Sequence, residues 1–273
     1  MAATGSTRVL ARQRQDLILA EVRQRGAVRV SELTTRLQVS DMTIRRDLDV
    51  LAASGLVEKV HGGATALEQR SADEPGFEVK SHLETQQKWA IANAAAAMIR
   101  PGTAVAITAG TTTWQLAYQL GDIPDLIVVT NSIRVAEALH QASRPDRTVV
   151  LTGGVRTPSD ALVGPVALSA VRSLHVDQVF MGVHGMSEQA GFTTPNLVEA
   201  ETNRAFVEAG QRLVILADHT KWGLRGLSTI VPLRDAHVVI SDTGLDDNAR
   251  ETIRSHGPQL VLAQAASDTR KTS

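Results

Sequence analysis

The feature that most constrains this chain is a series of seven short apolar runs in its carboxyl-terminal part, separated by stretches with helical spacing. The runs are Ala104–Ile107, Leu126–Val129, Thr148–Leu151, Gln178–Met181, Leu213–Leu216, His237–Ile240 and Leu260–Leu262. Short continuous runs of Val, Ile and Leu that alternate with helices are typical of parallel strands buried on both faces. The sequence therefore predicts an α/β domain built on a mostly parallel sheet.

Small and hydroxyl-bearing residues recur directly after these predicted strands. Because ligands of parallel α/β sheets bind outside the carboxyl ends of the strands, the loops at those ends form the candidate site. The loop 108–113 opens a predicted helix, so its backbone N–H groups and hydroxyls suit an anion, and Asn131 and Asp218 suit sugar hydroxyls. The candidate ligand-binding residues are Thr108, Gly110, Thr111, Thr112, Thr130, Asn131, Ser132, Gly153, Gly154, Gly182, His184, Glu199, Asp218 and Lys221.

Three short amphipathic helices are predicted at the other end of the chain. The first ends at Gly26, the second begins at Ser31 as its N-cap and stops near Gln38, and the third begins at Ser40 and ends at Gly55. Their apolar residues recur at helical spacing and are expected to be buried. These residues are Leu17, Ile18, Val22, Leu33, Leu37, Ile44, Leu48 and Leu51.

The short turn between the second and third helices is typical of a helix-turn-helix, whose third helix enters the major groove of DNA. The alternating stretch 56–63 ends in a glycine pair and predicts a β-hairpin, or wing, that carries Lys59 and His61. Periodicity alone leaves an alternative open, a three-helix cap whose paired arginines form a solvated face. In the helix-turn-helix interpretation, the solvent side of the third helix presents Met42, Thr43, Arg45 and Arg46.

Charge and composition divide the chain into parts and exclude several classes of protein. The net charge is −1, but residues 8–70 hold 11 basic and 8 acidic residues, a weak positive excess. We predict a winged helix-turn-helix domain over 8–64, a linker over 65–82, an α/β domain over 83–263 and a disordered tail over 264–273. There is no cysteine, which excludes disulfides, thiolate nucleophiles and cysteine-ligated metals. We also expect no metal, no cofactor, no membrane span and a cytoplasmic location.

The amino-terminal motifs resemble a known family. The run Val39–Leu48, followed by Leu51, Gly55 and His61–Ala64, is similar to the DNA-binding signature of DeoR-type bacterial transcriptional regulators. The resemblance extends from Arg14 to Ala64. It implies that the DNA-facing residues are Ser40, Met42, Thr43, Arg45 and Arg46.

The segment from Lys88 to Leu262 resembles the sensor domain of the same regulators, whose fold is similar to ribose-5-phosphate isomerase. The matching pieces are Gly110–Thr112, Thr130–Ser132, Gly153–Gly154, Val163–Pro165, Phe180–Gly182, Glu199–Glu201, Asp218, Lys221 and Gly223. The resemblance implies a phosphorylated sugar or close relative at the strand ends. In that reading Gly110, Thr111 and Thr112 bind the phosphate and Lys221 neutralises it.

Two positions depart from the family pattern. Thr108-Ala109 stands where the family commonly has Asp-Ser, and Val183-His184 stands where it commonly has Ala-Asp between two glycines. Two acidic groups are thereby replaced with neutral or donating ones. We therefore hypothesise an effector that is more anionic, or differently hydroxylated, than the usual sugar phosphate.

Together these features indicate a ligand-responsive transcription factor, a repressor of a carbohydrate-utilisation operon that binds double-stranded operator DNA. A homo-oligomer, dimer or tetramer, is expected, because one helix-turn-helix buries too little surface for tight specific binding. One alternative is a sugar-phosphate isomerase with an accessory helical domain, in which Glu199 or Asp218 acts as general base. Another is an architectural DNA-binding protein without an effector.

Overall fold

The computed structural model describes residues 11–66, 76–142 and 144–265. The chain divides into two compact units, Met1–Gln69 and Arg70–Ser273. Most of the predicted tail, 264–273, lies outside the described residues.

The first unit combines three helices with a small antiparallel sheet. Its elements are α1 (Ala11–Arg25), β1 (Ala27–Arg29), α2 (Val30–Leu37), α3 (Asp41–Ala53), β2 (Val57–Val60) and β3 (Gly63–Ala66). Strand β3 lies between β1 and β2 and is antiparallel to both. Gly62, at φ 79°, makes the tight turn of the β2–β3 hairpin, a backbone conformation that favours glycine. The predicted helix-turn-helix and wing are both confirmed.

The helices of this unit follow the predicted spacing with three differences, two in the core and one at a helix start. The buried predicted residues are Ile18, Val22, Leu33, Ile44, Leu48 and Leu51. Leu17 is exposed, because α1 buries the side that carries Ile18 and Val22, together with Leu19. Leu37 is only half-buried. Ser31 is not the N-cap of α2, since the helix begins one residue earlier, directly after β1, and has no side-chain cap.

The second unit is an α/β domain. Its helices are α4 (Phe77–Ser81), α5 (Thr85–Ala96), α6 (Thr111–Gln119), α7 (Ile133–Gln141), α8 (Pro165–Arg172), α9 (Leu197–Ala209) and α10 (Asp247–Ser255). Its strands are β4 (Ala104–Ile107), β5 (Ile127–Thr130), β6 (Thr148–Leu151), β7 (Val155–Arg156), β8 (Leu162–Val163), β9 (Gln178–Gly182), β10 (Gly185–Ser187), β11 (Gly191–Thr194), β12 (Leu213–Leu216), β13 (Ser228–Val231), β14 (Val238–Asp242) and β15 (Gln259–Ala263).

A seven-stranded sheet organises this unit, in the order β15-β14-β12-β9-β4-β5-β6. Every neighbouring pair is parallel. Each of the seven predicted apolar runs forms one of these strands, with ends that differ by at most two residues. Two buried apolar clusters, one on each face, fix the sheet between layers of helices. The predicted α/β fold class is confirmed.

Several short elements were not predicted from the sequence. Strands β10, β11 and β13 form a small antiparallel sheet, and β7 pairs with β8 in a second one. The stretch 65–82, predicted as a linker, contains the end of β3 and the whole of α4. Phe77, the first residue of α4, is buried against the ring of Trp114 at a centroid distance of 5.5 Å, which attaches this helix to the second unit.

Candidate functional site

Helix α3 presents the residues expected to contact DNA. Ser40 caps the helix, since its hydroxyl accepts a hydrogen bond from the backbone N–H of Thr43 at 3.3 Å and lies 2.8 Å from the Thr43 hydroxyl. Met42, Arg45 and Arg46 are exposed, on the side of α3 opposite its buried leucines. These side chains are therefore accessible at and near the amino-terminal end of the helix, where a recognition helix contacts bases and phosphates.

The wing carries Lys59 and His61, and both are exposed. The ammonium of Lys59 is paired with Asp49 of α3, and Arg45 Nε lies 2.5 Å from Asp41 Oδ1. Two of the cations expected to contact DNA are thus held by acids of the same helix in the free protein. Phosphate groups of DNA would compete with these carboxylates for the same donors.

A buried ion pair that the sequence did not reveal joins α1 to α3. Arg14 Nε donates to Asp47 Oδ2 at 2.6 Å, and Arg14 Nη2 donates to Oδ1 at 3.2 Å. Gln15 Nε2 adds a third hydrogen bond to Oδ1 at 3.0 Å. Asp47 follows the arginine pair Arg45-Arg46, so this bond also fixes the rotation of the helix that presents them. An acid on the otherwise apolar side of α3 was the only sequence signal.

A pocket opens at the carboxyl ends of β4 and β9, where the sequence predicts a ligand site. Seven of the candidate residues line it: Gly110, Thr111, Thr112, Gly182, His184, Glu199 and Lys221. Lys80, Ser159, Thr194 and Asn203 also line it and were not predicted. The pocket therefore joins loops of the main sheet, helix α4, the loop between β7 and β8, and helix α9.

The first turn of α6 is the predicted anion cradle. Gly110 is its N-cap, at φ 157° and ψ 158°, and the Thr113 hydroxyl donates to the Gly110 carbonyl at 3.0 Å. A Cβ on Gly110 would lie 3.0 Å from that hydroxyl and 3.7 Å from the Cα of Gly182, so these two glycines keep the loops close together. The first N–H groups of a helix have no partner within the helix, and Thr111 and Thr112 place theirs at the pocket.

Glu199 of α9 also lines the pocket. The Thr157 hydroxyl donates to its Oε1 at 2.7 Å, and the Thr194 hydroxyl donates to its Oε2 at 3.1 Å. Its backbone N–H donates to Asn196, the N-cap of α9, at 3.2 Å. The carboxylate is buried, two threonine hydroxyls donate to it, and carboxylate oxygens can also accept from ligand hydroxyls.

Basic groups gather on the side of the pocket formed by Lys80 and Lys221. Behind them lies Lys88, whose ammonium donates to the carbonyls of Lys80 and Leu83, both at 2.6 Å. Burial lowers the pKa of Lys88 from 10.5 to about 7; nearby Asp218 opposes the shift and Lys221 adds to it. The positive potential on this side suits an anionic ligand.

Asp218 is buried beside these lysines rather than lining the pocket. Its Oδ1 accepts hydrogen bonds from the N–H and the hydroxyl of Thr220, while its Oδ2 has no hydrogen-bond partner among the described residues. Burial by itself would raise the pKa of Asp218, but Lys221 and Lys88 outweigh it and lower the pKa. Asp218 is thus a charged counterpart of the two lysines.

A histidine and aspartate pair adjoins Asp218 and was not singled out from the sequence. His219 Nδ1 lies 2.9 Å from Asp242 Oδ1, and the His219 backbone N–H donates to Oδ2 at 2.8 Å. The hydrogen bond that the His219 ring donates to the Asp242 carboxylate raises the pKa of His219. This pair fastens the loop after β12 to the end of β14.

Six further candidates are not brought to the pocket, and the structure gives most of their polar groups internal partners. Thr108 accepts from the Gly182 N–H at 3.3 Å, and the Thr130 hydroxyl donates to the Ile107 carbonyl at 2.6 Å. Asn131 accepts from the Ala109 N–H at 2.9 Å, and Ser132 caps α7. Gly153 and Gly154 lie at the turn into β7. The hydrogen bonds of the four polar residues connect the loops at the carboxyl ends of the strands, and a ligand-binding role for the six stays a prediction.

The described residues show neither a metal centre nor a membrane helix. Within 11–66, 76–142 and 144–265, no group of three or more His, Asp and Glu side chains is placed to hold a metal ion. No helix in the same ranges is long and apolar enough to cross a bilayer.

Both units match models of one protein family. A model described as the DeoR-like helix-turn-helix domain matches residues 14–70, and a model described as the DeoR C terminal sensor domain matches residues 83–243. The regulator YgbI of Escherichia coli K12, itself uncharacterised, is 36% identical over 92% of this chain and 98% of its own length. A protein of Escherichia coli O157:H7, provisionally named an aga operon transcriptional repressor, is 32% identical over 95% and 97%. The L-fucose operon activator of Haemophilus influenzae is 30% identical over 91% and 99%.

Likeness to solved enzymes is much weaker. Ribose 5-phosphate isomerase A of Methanocaldococcus jannaschii aligns with 50% of this chain and 53% of its own, at 14% identity and a TM-score of 0.37. The isomerase alternative is wrong, because the relatives that match over nine tenths of this chain are named as transcriptional regulators and the helix-turn-helix model matches residues 14–70. The chain is a DNA-binding regulator with a domain for a small-molecule effector, and it belongs to the DeoR family.

Proposed function

We propose that this protein is a repressor of a carbohydrate-utilisation operon in the cytoplasm, and that a phosphorylated sugar or a related anionic metabolite changes its affinity for operator DNA. The observation that carries the proposal is the pocket in which the first turn of α6 faces Lys80 and Lys221. A helix amino terminus and two ammonium groups together suit one doubly charged phosphate.

Three other lining residues favour hydroxyl groups. Glu199 can accept from hydroxyl donors, while Asn203 and His184 can donate or accept. A ligand with a phosphate at one end and several hydroxyls at the other would satisfy both sets of residues. His184, which occupies the place of a common acid of the family, lines this pocket, so it supports the hypothesis of a differently hydroxylated or more anionic effector.

Helix α4 is the first described element that follows the DNA-binding unit in the chain. It is therefore the candidate link between the pocket and that unit. Lys80 reaches the pocket from α4 and donates to the Ser159 hydroxyl at 2.8 Å. The Phe77 N–H donates to the Pro158 carbonyl at 3.1 Å, and the Phe77 ring packs on Trp114 of the cradle helix. A ligand that binds Lys80 would therefore bias the position of α4, and a coupling of about 1–3 kcal/mol suffices for regulation.

The first experiment is a thermal-shift screen of the purified protein against a panel of sugar phosphates. A ligand present at 100 times its dissociation constant should stabilise the native state by about 2.7 kcal/mol. Lys221→Ala should abolish the shift for the ligand that gives it, because the phosphate loses one of its two cations. Lys59→Ala, in the wing, is the matched control and should keep the full shift. Absence of any shift across the panel would favour the architectural DNA-binding alternative.

Operator binding provides the reciprocal experiment. Fluorescence anisotropy with a labelled promoter fragment should show weaker binding for Arg45→Ala, Arg46→Ala and Lys59→Ala, and unchanged binding for Lys221→Ala without ligand. Loss of a phosphate contact should also lower the salt dependence of binding. Unchanged affinity in both arginine variants would remove α3 from the proposed DNA contact.

A further inference from the structure

Four large apolar side chains are exposed at and beside a groove between α8 and α9. Val166 is 62% exposed, Leu197 61%, Val198 43%, and Val155 of β7 70%. Pro165 and Leu168 of α8 and Val198 of α9 line the groove. Apolar side chains clustered in this way mark an interaction site more often than isolated exposed residues do.

These residues belong to one surface. Strand β7 pairs with β8 through Val155 and Val163, and the chain then passes through Gly164 directly into α8. A Cβ on Gly153, which lies just before β7, would be 3.4 Å from the Val166 side chain. Strand β7 and the start of α8 are therefore adjacent, and α8 is adjacent to α9 across the groove.

Two opposite charges lie in the same groove. Arg172, at the end of α8, and Glu201, in α9, both line it, and both are exposed. Neither side chain makes a hydrogen bond or an ion pair within the described part of the chain. A surface with an apolar centre and one unpaired charge of each sign is complementary to itself, because a two-fold rotation can bring each arginine to the glutamate of another copy.

We propose that a second copy of this chain packs against the α8–α9 surface, defined by Val155, Val166, Arg172, Leu197, Val198 and Glu201, around a two-fold axis. The inference rests on the proposed function in one respect, since two DNA-binding units are needed to contact two half-sites. The apolar residues form the centre of the interface, and Arg172 pairs with the partner's Glu201 at its rim.

The position of α9 links this interface to the pocket. Glu199 and Asn203 of α9 line the pocket, whereas Val198 and Glu201 of the same helix line the groove. One helix therefore separates the ligand from the second copy. A ligand that binds Glu199 therefore contacts the same helix that packs against the second copy.

The test measures the dimer dissociation constant of the full-length protein by sedimentation equilibrium. Because symmetry places each substitution in the interface twice, we expect Leu197→Glu to raise that constant at least about tenfold. Tyr118→Glu is the control, since Tyr118 is an exposed side chain of α6, which packs on the other face of the main sheet from α8 and α9. Both positions are exposed, and thermal melts of each variant verify that it is folded.

A charge reversal tests the two-fold arrangement itself. Arg172→Glu and Glu201→Arg should each weaken the dimer, because like charges would then face each other. The double variant should restore association close to that of the parent, because each pair is again opposite in charge.

The outcomes separate this inference from the proposed function. Unchanged dissociation constants for Leu197→Glu, loss of the dimer only in Tyr118→Glu, or failure of the double variant to recover would overturn it. A monomeric parent that still binds operator and sugar phosphate would refute the interface and leave the function standing. A dimer that Leu197→Glu dissociates, but that has no response to any sugar phosphate, would support the interface and count against the function.

Discussion

Replacement of Asp47 by Leu should loosen the recognition helix more than any change at its exposed face. Asp47 is buried, and its carboxylate accepts hydrogen bonds from Arg14 at 2.6 and 3.2 Å and from Gln15 at 3.0 Å. Removing one partner of a buried ion pair costs about 3–5 kcal/mol, because the remaining charge stays in a low-dielectric site without its counter-ion. We expect the amino-terminal unit to lose about 3 kcal/mol of stability.

The aromatic residues of the chain make this loss measurable in the intact protein. Trp89, Trp114 and Trp222 all lie in the second unit, so tryptophan fluorescence during urea unfolding reports on that unit alone and should be unchanged. Hydrogen exchange of the α3 backbone amides reports on the first unit. A loss of about 3 kcal/mol should speed their exchange ~100-fold, since each 1.4 kcal/mol is a factor of ten.

A double-mutant cycle separates the ion pair from the packing around it. If the pair carries the cost, Arg14→Met with Asp47→Leu should exchange more slowly than Asp47→Leu alone, because the buried guanidinium that has lost the Asp47 carboxylate is removed as well. Asp47→Asn should be intermediate, since its amide oxygen can still accept. Exchange in Asp47→Leu within about threefold of the parent, equivalent to less than 1 kcal/mol, would refute the reasoning.

Three further predictions concern pH, coupling and helix capping. Burial lowers the pKa of Lys88 to about 7, so above pH 7 the unfolded chain binds more protons than the folded chain does. The free energy of unfolding should therefore rise between pH 7 and about 10, by up to ~1.4 kcal/mol per pH unit. Urea midpoints measured across this range should rise less in Lys88→Met. Arg134 contacts Glu78 of α4 at 2.5 Å, Asp160 at 2.7 Å and the face of the Phe77 ring, but it does not line the pocket. Arg134→Ala should therefore keep the ligand-induced thermal shift but reduce the ligand-induced change in operator affinity. An unchanged operator response would exclude signalling through α4. Ser40→Ala should destabilise α3 by about 1 kcal/mol, visible as faster amide exchange in its first turn, and unaltered exchange would show that the cap contributes nothing.

Much of the fold was predictable because its elements are set by local pattern. A continuous apolar strand such as Leu213–Leu216 can be buried only between two layers, so its place in a parallel sheet follows from composition alone. Helix α3 combines a side-chain cap with regular apolar spacing, and both signals agree. In contrast, β1 is three residues long, and it is a strand only because Ala27 and Arg29 pair with β3, which is distant in the chain.

The pocket was less predictable, because its walls come from segments without periodicity. Lys80 lies in a polar stretch that indicates a linker, and Ser159 lies in the connection between two strands of two residues each. Tertiary contacts place both: Phe77 anchors α4, and Asp160, at φ 60°, turns the loop. Burial by itself would raise the pKa of Asp160, but hydrogen bonds from Arg134 and Arg156 lower it. These two ion pairs stabilise the loop between β7 and β8. A single aromatic residue in a polar stretch was the available signal for α4.

The distribution of polar groups at the sheet edge explains why the pocket needs a residue from α4. Thr108 and Thr130 are fully buried and use their hydroxyls to join neighbouring strand ends, so the sheet contributes rigidity there rather than ligand contacts. Charge complementary to an anion must then come from outside the sheet, and Lys80 of α4 and Lys221 of the loop after β12 supply it. Because binding and the position of α4 share this lysine, any ligand that prefers one position must shift the equilibrium between positions by the same free energy. On the function proposed above, sensing and signalling would depend on this one contact, and an effector that lacks a group for Lys80 would bind without regulating.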